Sequence, residues 1–240
     1  MRSRLAQAAA ATVGAVAALS ACSDSPSPSF EAFEVSPESS TSTPATTPSS
    51  ASPRASEPSS ASASNPSDGK PRRALLSIPA LAIRELPVVP YVGKTDDARG
   101  TKIQDRGLAA SPHGPMGGVG PGGVGNYQVT AHRLSSTQAF LTLPDLRVDQ
   151  LAVVETAETR YVYKIRDTRK TSFRSPQSLE EQRAAVPGQP GQPATRAHLT
   201  LSTCATPEDH AQGNFWSDRF NNPEHRIDKV GVLVRTETFD

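Results

Sequence analysis

The sequence predicts a mainly β domain, an antiparallel barrel or sandwich of seven to eight short strands with one or two short helices. Three observations predict it. Short runs alternate apolar and polar residues, the period-two pattern of strands with one buried face, and Gly and Pro separate the runs. Little of the chain carries helical spacing of apolar residues, which disfavours layered α/β folds. Nearly all large apolar residues outside the first 21 positions lie after residue 73, so a single domain spanning residues 74–240 must supply the core.

The N-terminus explains why the domain starts so late. Met1-Arg2-Ser3-Arg4 is a short basic start, followed by an uncharged run over residues 5–19 rich in Ala and Val. The run matches the length of a secretory signal core and falls short of the ~20 residues a membrane span needs. It closes with Leu19-Ser20-Ala21-Cys22, which resembles the lipobox of bacterial lipoproteins, implying a signal peptide over 1–21 and a lipidated Cys22. An uncleaved N-terminal membrane helix, or an ordinary signal peptide cut nearby, fits the same residues. Each of these exports the remainder. The expected location is the extracytoplasmic face of the plasma membrane, lipid-anchored at Cys22.

Residues 22–73 are mostly Ser, Pro, Thr and Ala, with Phe30, Phe33 and Val35 as rare large apolar residues. Such a segment cannot bury enough surface to offset the entropy of ordering, so it is expected to be a disordered tether. About fifty flexible residues span roughly 40 Å, enough to hold a domain off a membrane.

Within the domain, residues 74–79 and 81–89 read as strands, with Pro87 as a break, and 102–108 as another. Residues 114–125 are Gly-rich. Gly118 to Gly123 match a dinucleotide fingerprint literally, but that motif needs a strand before it and a helix after it, and here a strand follows at Asn126-Tyr127-Gln128-Val129-Thr130-Ala131. The stretch therefore reads as a mobile connector. A short helix is expected to end at Ala139-Phe140-Leu141. Residues 150–155 and 160–166 form a hairpin, and Ser175-Pro176 starts a helix to about residue 185, Ser capping and Pro at the first position. A Gly/Pro loop covers 187–193, and residues 197–204 alternate as a half-buried strand that ends at Cys204. A long connection leads to a closing strand at 230–236.

The chemistry centres on Cys204. The formal net charge of +1 gives no electrostatic case for nucleic acid or an acidic polymer. There are two cysteines, and if Cys22 carries lipid then Cys204 lacks an intrachain partner in a compartment that favours disulfides. A solitary exported thiol is either buried or in use. In use, it needs a histidine to move protons and a donor for a developing oxyanion. His198 shares the face of Cys204 but lies roughly 20 Å away along a strand, and His113 sits in the Gly-rich connector. His210 and His225 remain open. His132 ends the strand over 126–131, so it has a rigid base like that of Cys204, and two strand ends can meet at one mouth of a barrel. Arg226, just before the closing strand, is the candidate guanidinium, with Arg133, Arg196 and Arg219 also open.

Leu201-Ser202-Thr203-Cys204 resembles the Leu-x-Thr-Cys motif of sortases. Asn126-Tyr127-Gln128-Val129-Thr130-Ala131-His132-Arg133 resembles the stretch carrying their histidine, and Arg226 falls where they place their arginine. The hairpin with Tyr161-Val162-Tyr163 is similar to class E members. The resemblance implies a closed β-barrel and a cysteine transpeptidase needing no metal or cofactor. Cys204 would attack the Thr–Gly bond of an LPXTG- or LAXTG-like sorting signal, His132 would serve as general acid and base, and Arg226 would stabilise the oxyanion or the substrate. Its partners would be secreted proteins with C-terminal sorting signals and a peptidoglycan-precursor or other amine acceptor. Residues 175–193 would form one wall of the groove, and the aromatics of loop 205–225 are expected to pin that loop to the barrel. The rivals are a non-catalytic wall-associated lipoprotein with a sortase-like binding barrel, and another exported cysteine amidase or transpeptidase.

Overall fold

The computed structural model describes residues 67–239; the signal segment, Cys22 and the tether through residue 66 lie outside the described residues. Eight strands form among the described residues: β1 (Ala74–Ile78), β2 (Ile83–Val92), β3 (Ala109–His113), β4 (Gly125–Thr130), β5 (Leu151–Glu155), β6 (Thr159–Ser172), β7 (Ala197–Cys204) and β8 (His225–Thr238). Among the described residues three α-helices accompany them, α1 (Ala98–Gln104), α2 (Pro176–Arg183) and α3 (Thr206–Ala211), with two single 3-10 turns at Pro79–Leu81 and Leu143–Asp145. The strands close into a barrel in the order β1-β2-β3-β4-β7-β8-β6-β5. The predicted mainly β barrel is therefore present, but it is not wholly antiparallel: β2–β3 and β4–β7 are parallel seams. Parallel neighbours need a crossover. For β2 and β3 it is α1; for β4 and β7 it is the β5–β6 hairpin with α2.

Inward residues build one core. Leu199 and Leu201 of β7 meet Tyr127 and Val129 of β4, with Leu76, Ile78 and Phe140. The alternation in β7 predicts one wet face, yet the polar Thr200 and Ser202 are buried as well. The cause is α2, which covers the outer face of β4 and β7. Asn126 Nδ2 donates to the carbonyls of Gln182 and Ala184 at 2.9 and 3.1 Å, and Thr200 Oγ1 donates to Asn126 Oδ1 at 2.8 Å. The helix starts as the sequence predicts: Ser175 Oγ accepts the Ser178 N–H at 3.1 Å, and Pro176 stands at the first position.

Several expectations are corrected. Pro87 does not break β2. Pairing to β3 begins only at Val88, so the missing N–H of Pro87 faces no ladder on that side. Residues 98–104 are helix rather than strand, because Asp97 Oδ1 accepts the N–H groups of Arg99 and Gly100, both at 2.9 Å. No helix ends at 139–141. The chain turns there, and Phe140 plugs the core while its N–H reaches the His132 carbonyl at 3.0 Å. The connection after Cys204 contains α3, and β8 begins at His225, so Arg226 lies within that strand.

The Gly-rich stretch is a packed loop, not a mobile connector, and His113 ends β3 ahead of it. Its backbone bonds run Gly118 N to Pro112 O, Gly120 N to Gly69 O and Gly122 N to Tyr163 Oη, at 2.9, 2.7 and 2.7 Å. A Cβ on Gly120 would sit 1.9 Å from the Lys70 carbonyl oxygen. Gly122 has φ +72°, and a Cβ there would fall 2.1 Å from the Tyr161 ring. Glycine is thus required by close approach and by a left-handed backbone, not by a phosphate. The same contacts seat residues 67–73, the last stretch assigned to the tether, against the barrel. Gly120→Ala and Gly122→Ala should each cost ~2 kcal/mol by overpacking, lowering Tm by about 4–8 °C in a domain of this size. Differential scanning calorimetry checks this, and an unchanged Tm contradicts it.

Candidate active site

The site follows from strand register. On β7, Leu199 and Leu201 point inward, so Cys204 shares the outward face with Thr200 and Ser202. Parallel β4 pairs Thr130 with Ser202. The register runs on past the strand, with Ala131 N donating to Ser202 O at 3.3 Å and Thr203 Oγ1 to Ala131 O at 2.9 Å. His132 therefore leaves its strand level with Cys204. Antiparallel β8 sets Arg226 directly opposite Cys204. One rim thus receives the C-terminal ends of β4 and β7 and the N-terminal end of β8.

His132 and Cys204 line a single cavity of about 310 Å³, together with Asp105, His210, Trp216 and Phe220. Asp105, in the turn after α1, places Oδ1 2.9 Å from His132 Nε2. A carboxylate there favours the Nε2–H tautomer, leaving Nδ1 as the nitrogen open to proton exchange. Arg133 ties the rim together: it donates from Nη1 to the Cys204 carbonyl at 3.2 Å and forms a two-pronged ion pair with Glu208 of α3. The guanidinium holds the Glu208 carboxyl below its ordinary value.

Arg226 is 1% exposed. Its Nε donates to Asp96 Oδ2 at 3.2 Å, its Nη1 to the carbonyls of Pro223 and His225 at 3.3 and 3.2 Å, and its plane lies 4.2 Å over the Phe173 ring. Nη2 is buried without a partner among the described residues. Burial opposes the charge on Arg226, but Asp96 and Cys204 outweigh it and hold the guanidinium protonated. Burial pushes the Cys204 thiol above its ordinary value; Arg226 and Arg133 pull it down, and Asp96 and Asp218 push it up.

Cys204, His132 and Arg226 are therefore brought to one rim, while Cys22 lies outside the described residues. His210 also reaches the cavity, stacked against Phe215 with ring centroids 4.7 Å apart. His225 is taken up by Asp209, with Nδ1 2.8 Å from Oδ1. Arg196 sits at the other end of β7, where its carbonyl accepts the Gly125 N–H. The aromatics of loop 205–225 do not pin it to the barrel. Phe215, Trp216 and Phe220 are 71, 36 and 39% exposed and form the cavity rim, because Asp218 and Asn222 hold the loop through their own hydrogen bonds. Sequence reasoning missed Asp96 and Asp105. The only local signal near either was the helix cap at Asp97, and Asp96 lies 130 residues from Arg226.

A closed β-barrel with a thiol, an imidazole and a guanidinium gathered at one rim is the class of structure these elements define. Residues 76–219, over half the chain, match the family model described as the sortase domain. The chain belongs to the sortase family, whose members are cysteine transpeptidases. The fold is similar to that of the SrtA sortase from Actinomyces oris (TM-score 0.52, 19% identity, covering 69% of this chain and 81% of that one). It is also similar to sortase E1 from Streptomyces coelicolor, solved with a tripeptide in the active site (TM-score 0.51, 22% identity, 70% of this chain and 91% of that one). Sortase E from Streptomyces avermitilis matches with a TM-score of 0.50 at 23% identity, over 71% of this chain and 91% of that one. No curated protein matches the chain.

Because burial outweighs the pull of Arg226 and raises the thiol, Cys204 should be mostly protonated at pH 7, with its alkylation by iodoacetamide still accelerating above the ordinary thiol range. Arg226→Gln should move that midpoint higher still. Alkylation already at its plateau at pH 7 in the parent would contradict the first statement, and an unmoved or lowered midpoint in Arg226→Gln the second.

Proposed function

We propose that this chain is a cysteine transpeptidase that cleaves an LPXTG- or LAXTG-like sorting signal between Thr and Gly and transfers it to a cell-wall amine. The observation that carries the reading is the register of β4, β7 and β8, which delivers His132, Cys204 and Arg226 to one rim. The Cys204 proton passes to His132 as sulphur attacks the Thr carbonyl carbon. The developing oxyanion lies beside Arg226, whose Nη2 is the unengaged donor. The tetrahedral intermediate collapses as the C–N bond breaks, and His132 gives its proton to the departing Gly amine, leaving a thioester on Cys204. An incoming amine then attacks that carbonyl and loses a proton to His132. The sulphur leaves as thiolate and regains its proton from His132. Asp105 stabilises the imidazolium formed in each half-reaction.

The partners on this reading are secreted proteins with C-terminal sorting signals and an amine acceptor such as a peptidoglycan precursor. The exposed aromatics around the cavity support contact with the apolar part of such a signal. Lipid at Cys22, holding the domain at the extracytoplasmic face of the plasma membrane, completes the proposal; an uncleaved N-terminal helix is the alternative. A non-catalytic binding barrel is favoured by one observation, the burial that raises the Cys204 thiol.

Incubation with a panel of sorting-signal peptides and amine acceptors, read by mass, should give a thioacyl adduct on Cys204 and a transferred product. Cys204→Ala should keep its Tm and lose all cleavage, and His132→Ala should reduce turnover by 10²-fold or more. Binding without any cleavage by the parent favours the non-catalytic barrel. For the anchor, Cys22→Ala should release the protein from membranes; continued membrane association at the parent mass rules out lipid at Cys22.

A further inference from the structure

Asp96 is a buried carboxylate paired with the buried guanidinium of Arg226. It lies in the loop between β2 and α1, its side chain is 8% exposed, and its φ is +59°, a left-handed conformation that non-glycine residues adopt at a cost. Such strain persists only where the surroundings enforce it, and here they do so from both sides. Buried Thr95 donates from Oγ1 to Gln182 Oε1 at 3.0 Å and accepts from Arg183 Nε at 3.3 Å. Asp97 caps α1 and accepts the Lys94 N–H at 3.1 Å. Gln182 in turn donates to buried Asp228 of β8, so the loop is fastened to the strand that carries Arg226.

The consequence falls on the guanidinium. With Nε held by Asp96 and Nη1 held by two carbonyls, the plane cannot rotate, and Nη2 alone is left without a partner. A buried donor left unsatisfied costs ~1–3 kcal/mol, so its retention points to a ligand atom that completes it. Asp96 also pushes the Cys204 thiol up, the direction opposite to thiol activation.

We propose that Asp96 is a positioning residue for Arg226: its carboxylate grips Nε and fixes the guanidinium so that Nη2 faces the acyl oxygen beside Cys204. This rests on the reading of Arg226 as the oxyanion or substrate donor. Asp96 touches no reacting atom. Its effect belongs to kcat, because a loosened donor loses transition-state stabilisation more than ground-state binding.

The test is a double-mutant cycle read by single-turnover thioacyl formation with a sorting-signal peptide. Asp96→Asn, which keeps an acceptor for Nε, should lower the rate constant on the order of ten-fold and change KM less than about two-fold, with the variant still folded at the assay temperature despite the lower Tm that loss of a buried partner charge brings. In an Arg226→Gln background the same change should have no further effect, since nothing remains to position. Unaltered turnover, faster turnover (the sign of a blocking contact), or an equal loss in both backgrounds overturns the proposal. If the parent forms no thioacyl adduct with any peptide, the transpeptidase reading fails, and the Arg226 Nε–H resonance decides the positioning claim separately. That resonance, identified by its loss in Arg226→Gln, should shift or broaden in Asp96→Asn; an unmoved resonance overturns the proposal.

Discussion

The parallel seam between β4 and β7 is the constraint on which the site depends. Strand ends on an antiparallel pair point to opposite ends of a barrel, so a histidine and a cysteine that each close a strand would lie a strand length apart. Parallel pairing with Thr130 beside Ser202 instead delivers both to one level, and the backbone bond from Ala131 to Ser202 carries that register to the last residue. Antiparallel β8 then adds the guanidinium from the opposite direction of travel. The rim is held by geometry rather than by direct bonds among the three side chains. The surrounding groups serve that geometry: Arg133 clamps the Cys204 carbonyl to α3, and Phe140 clamps the His132 carbonyl.

The outer face of β7 and β8 is unusual for a barrel wall because it buries charge. Arg226 with Asp96, and Asp228 with Thr171 and Gln182, sit beneath α2 and the loop before α1. Burial pushes the Asp228 carboxyl above its ordinary value even with those hydrogen bonds. Buried pairs of this kind contribute little net stability, while removal of one partner typically costs about 3–5 kcal/mol. Apolar residues could fill the same space at less expense. The polar layer ties together α2, the loop before α1 and two strands, and an enzyme needs such cross-links where donor positions matter more than depth of burial.

Much of the architecture was legible along the chain. Alternation marked β4, β5, β7 and part of β8, and Ser175-Pro176 marked the start of α2, because those signals are local. Local reading failed where a local rule lost to context. Thr200 and Ser202 read as a wet face and are covered by a helix some twenty residues earlier in the chain, and Pro87 read as a break at a position where the ladder asks for no donor. The glycines of 114–125 read as freedom, although two of them are required by a neighbour: the Lys70 carbonyl at Gly120 and the Tyr161 ring at Gly122.

Residue chemistry alone determined which groups were capable of covalent work. A thiol closing a strand, a histidine closing another and an arginine near the last strand are properties of composition and order. Tertiary structure decided the rest. Only the barrel's closure makes β4 and β7 neighbours across the intervening hairpin and helix, and only that closure carries Asp96 and Asp105 to Arg226 and His132. The reason is physical. Alternation and capping act over a few residues, whereas the orientation of a guanidinium or an imidazole is set by partners that chain folding brings from far along the sequence.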